Sequence, residues 1–130
     1  MKKDFQKWHK RKSWLHNEKP RVFFHERDIW WCSMGFNVGF EQDGRGAQFS
    51  RPIVIFKKFN NEVFWAIPLT TKQKIGKFYF SVKVHNIGQQ TLILSQLRLM
   101  DSKRLLRKIG YISKADYSAI QKAIMKLCES

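Results

Sequence analysis

Three sets of polar residues stand where an apolar run begins, ends or is interrupted, and all three suit a phosphate. Arg51 stands immediately before Pro52 at the mouth of the β-branched run PIVIF. Thr70, Thr71 and Lys72 close the run IPLTTK, and Ser95, Gln96 and Arg98 break the apolar stretch TLILSQLRL. A guanidinium can give a phosphate two hydrogen bonds in one plane, and a threonine hydroxyl adds a third donor. Each set also has a plainer reading, because an alternating strand carries a polar outward stripe whatever its function. A fourth stretch, GFEQDGRGAQFSRP at residues 39–52, combines the turn residues Gly39, Asp43, Gly44 and Gly46 with the charges of Glu41, Arg45 and Arg51.

Other chemistries find less support. His9, His16, His25 and His85 are scattered, and with Cys32 and Cys128 they make no cluster of metal-ligand spacing. No metal or other cofactor is therefore expected. A ribonuclease working with two histidines as acid and base is conceivable, but these four are not placed for it. The GRG at 44–46 is too short for a phosphate-binding loop of the Walker type.

The elements that would hold these residues read mainly as strands. DIWWCSM, PIVIF, EVFWAIPL, KFYFSVKV and TLILSQLRL give five candidates. In the fourth, Phe78, Phe80, Val82 and Val84 alternate with Tyr79, Ser81 and Lys83. Asn60 and Asn61 in FNNE predict a hairpin turn between the second and third strands, and HNIGQQ at 85–90 predicts a turn between the last two. Two helices are expected to follow. Asp101 or Ser102 would cap SKRLLRKI, with Gly110 as its stop, and Ser113 would cap the last helix with Asp116 in its first turn. Tyr117, Ile120, Ile124 and Leu127 share one face of that last helix, and Cys128 is expected beside them in the core. Together these predict a small, curled antiparallel sheet or barrel with helices at its ends.

Residues 1–27 have a different texture: nine lysines and arginines stand among them, interleaved with Phe5, Trp8, Trp14 and Leu15, and Pro20 ends the run. Phe5, Trp8 and Leu15 fall on one face at helical spacing, with Asp4 as a cap and Trp14 on the far side. The organisation expected is thus a basic N-terminal helical extension, 1–27, before one β-rich domain, 28–130.

Charge bounds the partners. The 130 residues carry 25 Lys and Arg against 10 Asp and Glu, a net +15 at pH 7. A field of that sign attracts polyanions, so nucleic acid is the first partner to expect and an acidic protein the second. A membrane partner is not expected: the cations flank no apolar segment, and no run approaches the ~18 apolar residues of a spanning helix. Two cysteines make no disulfide framework, and no apolar segment follows the basic start as in a signal peptide, which together point to a cytoplasmic protein.

The order GxxVGxEQ, RP and strand, PLTT, and ILSQLRLMDSKRLLRKIG resembles the MazF/PemK family of toxin endoribonucleases, the toxic halves of toxin–antitoxin pairs. The likeness runs from Asp28 to the end of the C-terminal helix, about four fifths of the chain. It implies a small SH3-like antiparallel barrel with a C-terminal helix, a homodimer, single-stranded RNA (mRNA) as substrate and a cognate antitoxin as protein partner. The implied reaction is metal-independent: the ribose 2′-OH attacks the adjacent phosphate, leaving a 2′,3′-cyclic phosphate and a 5′-OH. By motif, Arg51 and Thr70 become the catalytic pair. Glu41 and Gln42 of the EQ pair, with Gln96 and Arg98 of SQLR, match positions along the same groove, which Ser95, Thr71 and Lys72 adjoin. Arginine, with a pKa above roughly 12, is a poor base, so charge stabilisation or proton donation suits Arg51 and leaves Glu41 as a candidate base. The interval between Gln42 and Arg51 is longer than is usual in the family, which makes Arg45 and Phe49 candidates for choosing the RNA. Two other functions fit the same features. A toxin of this fold can act by binding a protein, as gyrase poisons do, and a basic domain can bind RNA without cutting it.

Overall fold

A computed structural model describes residues 21–34 and 50–129. Its elements are β1 (Asp28–Ser33), β2 (Ser50–Lys58), β3 (Val63–Thr70), β4 (Tyr79–Val84), β5 (Gly88–Ile93), β6 (Arg98–Asp101), β7 (Leu105–Tyr111) and helix α1 (Lys114–Cys128). The sheet is antiparallel, in the order β4-β5-β3-β2-β1-β7, with β6 also paired to β3. It curls into a half-barrel: Asn86, in the turn after β4, donates from Nδ2 to the Ile109 carbonyl of β7 at 3.0 Å. The proposed N-terminal helix, with Asp4, Phe5, Trp8, Trp14 and Leu15, lies outside the described residues.

The run PIVIF is apolar throughout because its strand is buried on both faces. Ile53 and Ile55 join Trp30, Cys32, Phe64 and Ala66 in one core, closed by Phe24, Met34, Met100 and Leu105. Val54 joins Ile29, Ile67 and Leu69 in a second, closed by Val82, Val84, Leu92, Ile112 and Ile120. Helix α1 covers this second core. Ser113 Oγ accepts from the Asp116 N–H at 3.0 Å and starts the helix as expected. Tyr117, Ile124 and Leu127 then pack beside Ile120. Cys128 corrects the expectation made of it: it lies at the exposed side of the last turn.

Both predicted turns form. Asn60 Oδ1 accepts from the N–H groups of Glu62 and Val63, at 2.7 and 3.0 Å, and turns the chain between β2 and β3. Gly88, at φ +73°, carries the turn between β4 and β5 into a conformation that few other residues adopt.

Two expectations are overturned. SKRLLRKI is no helix: Ser102–Arg104 form a 3-10 turn, and Leu105–Tyr111 continue as β7 against β1, with Gly110 opposite Ile29. The ladder shifts register twice, between Ile29 and Trp30 and between Trp31 and Cys32. Arg107 and Lys108 are both exposed there, so strict alternation fails and LLRKI imitates helical spacing. TLILSQLRL is likewise not one strand. Leu92 pairs with Leu69 and Arg98 with Ala66, so six residues from β5 to β6 span three on β3, and the 3-10 turn Leu94–Gln96 takes up the excess. Among the described residues the five expected strands are therefore seven. Among the described residues, no helix is long and apolar enough to cross a membrane.

Candidate functional site

The RP pair places Arg51 by removing a donor. Proline has no N–H to give a ladder. Pro52 stands beside Leu69 when the Ile53↔Pro68 register is continued, and the Leu69 carbonyl accepts from Arg51 Nη2 at 2.8 Å. The same register sets Arg51 opposite Thr70, the last residue of β3. Both are buried, Arg51 at 3% and Thr70 at 6% exposure. Thr70 Oγ1 accepts from the Lys72 N–H at 3.2 Å, which orients the hydroxyl and leaves its hydrogen to donate.

Around this pair lies a cavity of about 370 Å³, lined by Trp31, Ser50, Arg51, Pro52, Leu69, Thr70, Thr71, Ile87, Gln90 and Ile109. Alternation along β2 and β3 puts Arg51 and Thr70 on the face of Ile53 and Ala66, and Pro52 and Leu69 on the other. The cavity thus wraps the end of the sheet, with hydrogen-bond donors on one side and an apolar wall on the other. No carboxylate lines it among the described residues. Lys72, Lys74 and Lys77 are exposed on the β3–β4 connection that begins at its rim. A buried cation, a fixed hydroxyl and a rim of lysines make a setting for a phosphate.

The sequence candidates divide three ways. Arg51, Thr70 and Thr71 come together at the cavity, with Lys72 next along the chain. Ser95, Gln96 and Arg98 do not line it: Ser95 is exposed and Gln96 half-buried on the 3-10 turn, and Arg98 opens β6. Arg98 faces Ala66 in register, so it shares a face with Thr70 but stands four residues along β3 from it, roughly 13 Å at the strand rise. There it neighbours Arg104, which donates to the Ser33 carbonyl at 3.1 Å. Burial and the Arg98 charge lower the Arg104 guanidinium from its usual value, against the opposing effects of Cys32 and Asp101. Glu41, Gln42, Arg45 and Phe49 lie outside the described residues. His25 and His85 are exposed, and neither lines the cavity. Among the described residues, no group of three or more His, Cys, Asp or Glu could hold a metal ion.

Gln90 escaped the sequence reading because HNIGQQ looks like a turn. Its spacing of two and four from the buried Leu92 and Leu94 is the signal that would have placed it on an inward face. Trp31, Ile87 and Ile109 pass in sequence as ordinary core residues.

Residues 25–128 match the profile of the PemK-like, MazF-like toxins of type II toxin-antitoxin systems, and the chain belongs to that family. A search of curated proteins finds no significant match. Solved structures share the fold at low identity. Toxin MazF-mt6 of Mycobacterium tuberculosis is 17% identical, with a TM-score of 0.60 over 77% of this chain and 94% of its own. MazF from Deinococcus radiodurans is 15% identical, with a TM-score of 0.62 over 86% and 98%. An endoribonuclease from a mycobacterial species, solved in complex with its cognate antitoxin, is 12% identical, with a TM-score of 0.62 over 82% and 95%.

Proposed function

We propose that this protein is a sequence-specific endoribonuclease toxin that cleaves single-stranded RNA at the cavity around the Arg51–Thr70 end of the sheet. The observation that carries the reading is Arg51: a buried guanidinium, held in place by the Leu69 carbonyl and set opposite a buried threonine hydroxyl. The ribose 2′-OH attacks the adjacent phosphorus as the bond from phosphorus to the 5′ oxygen breaks. The 2′-OH loses its proton and the departing 5′ oxygen gains one, from Arg51 or from water, which leaves a 2′,3′-cyclic phosphate and a 5′-OH. Negative charge grows on the non-bridging oxygens during that step. Donors already fixed in a site shielded from water stabilise such charge at little cost in reorganisation. Arg51 supplies the planar pair of donors and Thr70 the third. A base must take the 2′-OH proton, and Glu41 of the EQ pair is the carboxylate we assign to it. Gln42, Arg45 and Phe49, from the longer interval before Arg51, would contact RNA, with Thr71 and Lys72 at the rim and Ser95, Gln96 and Arg98 beyond the cavity.

In this reading residues 28–130 are the toxin domain and residues 1–27 a basic extension, the last residues of which join the domain's packing through Phe24. The toxin works as a homodimer in the cytoplasm and is held off by an antitoxin whose acidic segment complements its charge of +15. No step assigned here calls for a metal. Purified protein should therefore cut single-stranded transcripts in EDTA, with 5′-OH ends that a polynucleotide kinase labels directly. Binding without cleavage across a broad set of transcripts would sink the reading in favour of a plain RNA-binding module.

A further inference from the structure

Gln90 is 4% exposed and lies in the wall of the cavity that Arg51 and Thr70 also line. The two ends of its carboxamide are treated unequally. Nε2 donates to the Ile87 carbonyl at 3.0 Å, whereas Oε1 is buried and has no partner among the described residues. The orientation is fixed by chemistry: a carbonyl only accepts, so exchanging the two atoms would set two acceptors against each other. A buried acceptor left unmet is costly, and natural proteins leave few of them. One stands here, on the side of the cavity that is otherwise the apolar wall of Trp31, Pro52, Leu69, Ile87 and Ile109.

That wall suits a flat, weakly polar group, and Gln90, which lines it, holds an unmet acceptor. We propose that Gln90 reads a nucleobase beside the scissile phosphate, its Oε1 accepting an N–H from the base edge. The proposal rests on the endoribonuclease reading, with the phosphate on the Arg51 side of the sheet end and the base across it. An acceptor without a neighbouring donor favours a base with an exocyclic amino group. Uracil is disfavoured, because its N3–H stands between two carbonyls that would face the apolar wall unpaired.

The test compares wild type with Gln90→Met, which keeps the length of the side chain and removes the acceptor. The substrates are short single-stranded oligoribonucleotides varied one position at a time around the cut. Wild type should prefer an amino-bearing base over uracil at one position by about tenfold in kcat/KM, the scale of one unmet buried hydrogen bond. Gln90→Met should flatten that preference to within about twofold, a residue at this range of effect leaving the other positions unchanged. Its melting temperature should not fall in proportion, since removing an unmet acceptor offsets the lost bond to Ile87. A Met variant that keeps the wild-type preference overturns the proposal and leaves the endoribonuclease reading intact. A wild type that cuts with no preference at any position overturns the proposal and the sequence specificity of that reading, but not the cleavage. If wild type cuts no RNA, that reading fails by itself. The Gln90 contact is then judged by binding of the same oligonucleotides: a base preference that Gln90→Met loses upholds it, and equal binding of all of them refutes it. Should the variant not fold, ¹⁵N-labelled wild type decides. The Gln90 carboxamide resonances should shift with at least one of three oligomers that carry adenine, cytosine or guanine and stay still with a uridine-only one, and identical behaviour with all four contradicts the contact.

Discussion

The two ends of β3 bury polar groups to opposite effect. At the N-terminal end, Ser102 is fully buried, and its Oγ donates to the Asn61 carbonyl at 3.0 Å and accepts from Arg21 Nη1 at 2.9 Å. Its N–H donates to the Glu62 carbonyl at 2.7 Å, and Arg21 also pairs with Asp101 at 2.6 Å. Nothing is left there for a ligand. At the C-terminal end, Arg51, Thr70 and Gln90 are as deeply buried, yet they surround a cavity, and the Gln90 acceptor is unmet. Burial of polar groups alone does not separate a site from a structural knot. Whether their hydrogen bonds close on the protein itself does.

If that contrast is right, substitutions at one end should cost activity and at the other stability. The largest effect after Arg51 belongs to Thr70→Val, which keeps the shape and removes the hydroxyl. Cleavage should fall by about a hundredfold, the low end of what one transition-state donor supplies, with the melting temperature lowered only slightly. Initial rates on one oligonucleotide and a thermal scan check it. A variant that cuts at the wild-type rate would remove Thr70 from the chemistry.

Ser102→Ala should do the reverse. Breaking a buried side chain's two hydrogen bonds should destabilise by about 1–2 kcal/mol, measured by urea unfolding, while the folded protein cuts at the wild-type rate. The smallest effect concerns acid. Burial alone would raise the Asp101 carboxyl, but hydrogen bonds from Arg21 and the Lys103 N–H, with both positive charges, outweigh it and hold it below the usual 3.8. A carboxylate depressed in the folded state stabilises above its unfolded value, and that stabilisation is lost as pH falls through the folded one. Asp101→Asn should therefore flatten the decline in stability below about pH 4 by less than about 1 kcal/mol, because the pair is partly exposed and screened. An unchanged acid profile would show that the pair contributes nothing measurable.

The same contrast shows how far the sequence could be read. The strand-end donors were legible, since Arg51 before Pro52 and Thr70 after PL mark where two apolar runs meet a boundary. The turn at Asn60 and the cap at Ser113 were legible too, because each is made by one side chain bonding its own neighbourhood. What escaped depends on distant partners. LLRKI is a strand because β1 receives it, with register shifts that erase its alternation. The 3-10 turn within TLILSQLRL forms because β5 and β6 share one edge of β3 three residues out of step, which takes SQLR away from the cavity. Gln90 carries no motif, and its importance comes from an acceptor left unmet across a space that only the folded sheet encloses.

The central claim is that chemistry resides at the Arg51 end of β3 and structure at the Ser102 end. The most direct measurement maps 5′-OH RNA ends after brief expression of wild type, Arg51→Ala and Ser102→Ala, at a temperature where near-ultraviolet circular dichroism shows all three folded. Wild type and Ser102→Ala should yield ends at one shared short sequence, and Arg51→Ala should yield none. The same ends persisting in folded Arg51→Ala would contradict the account.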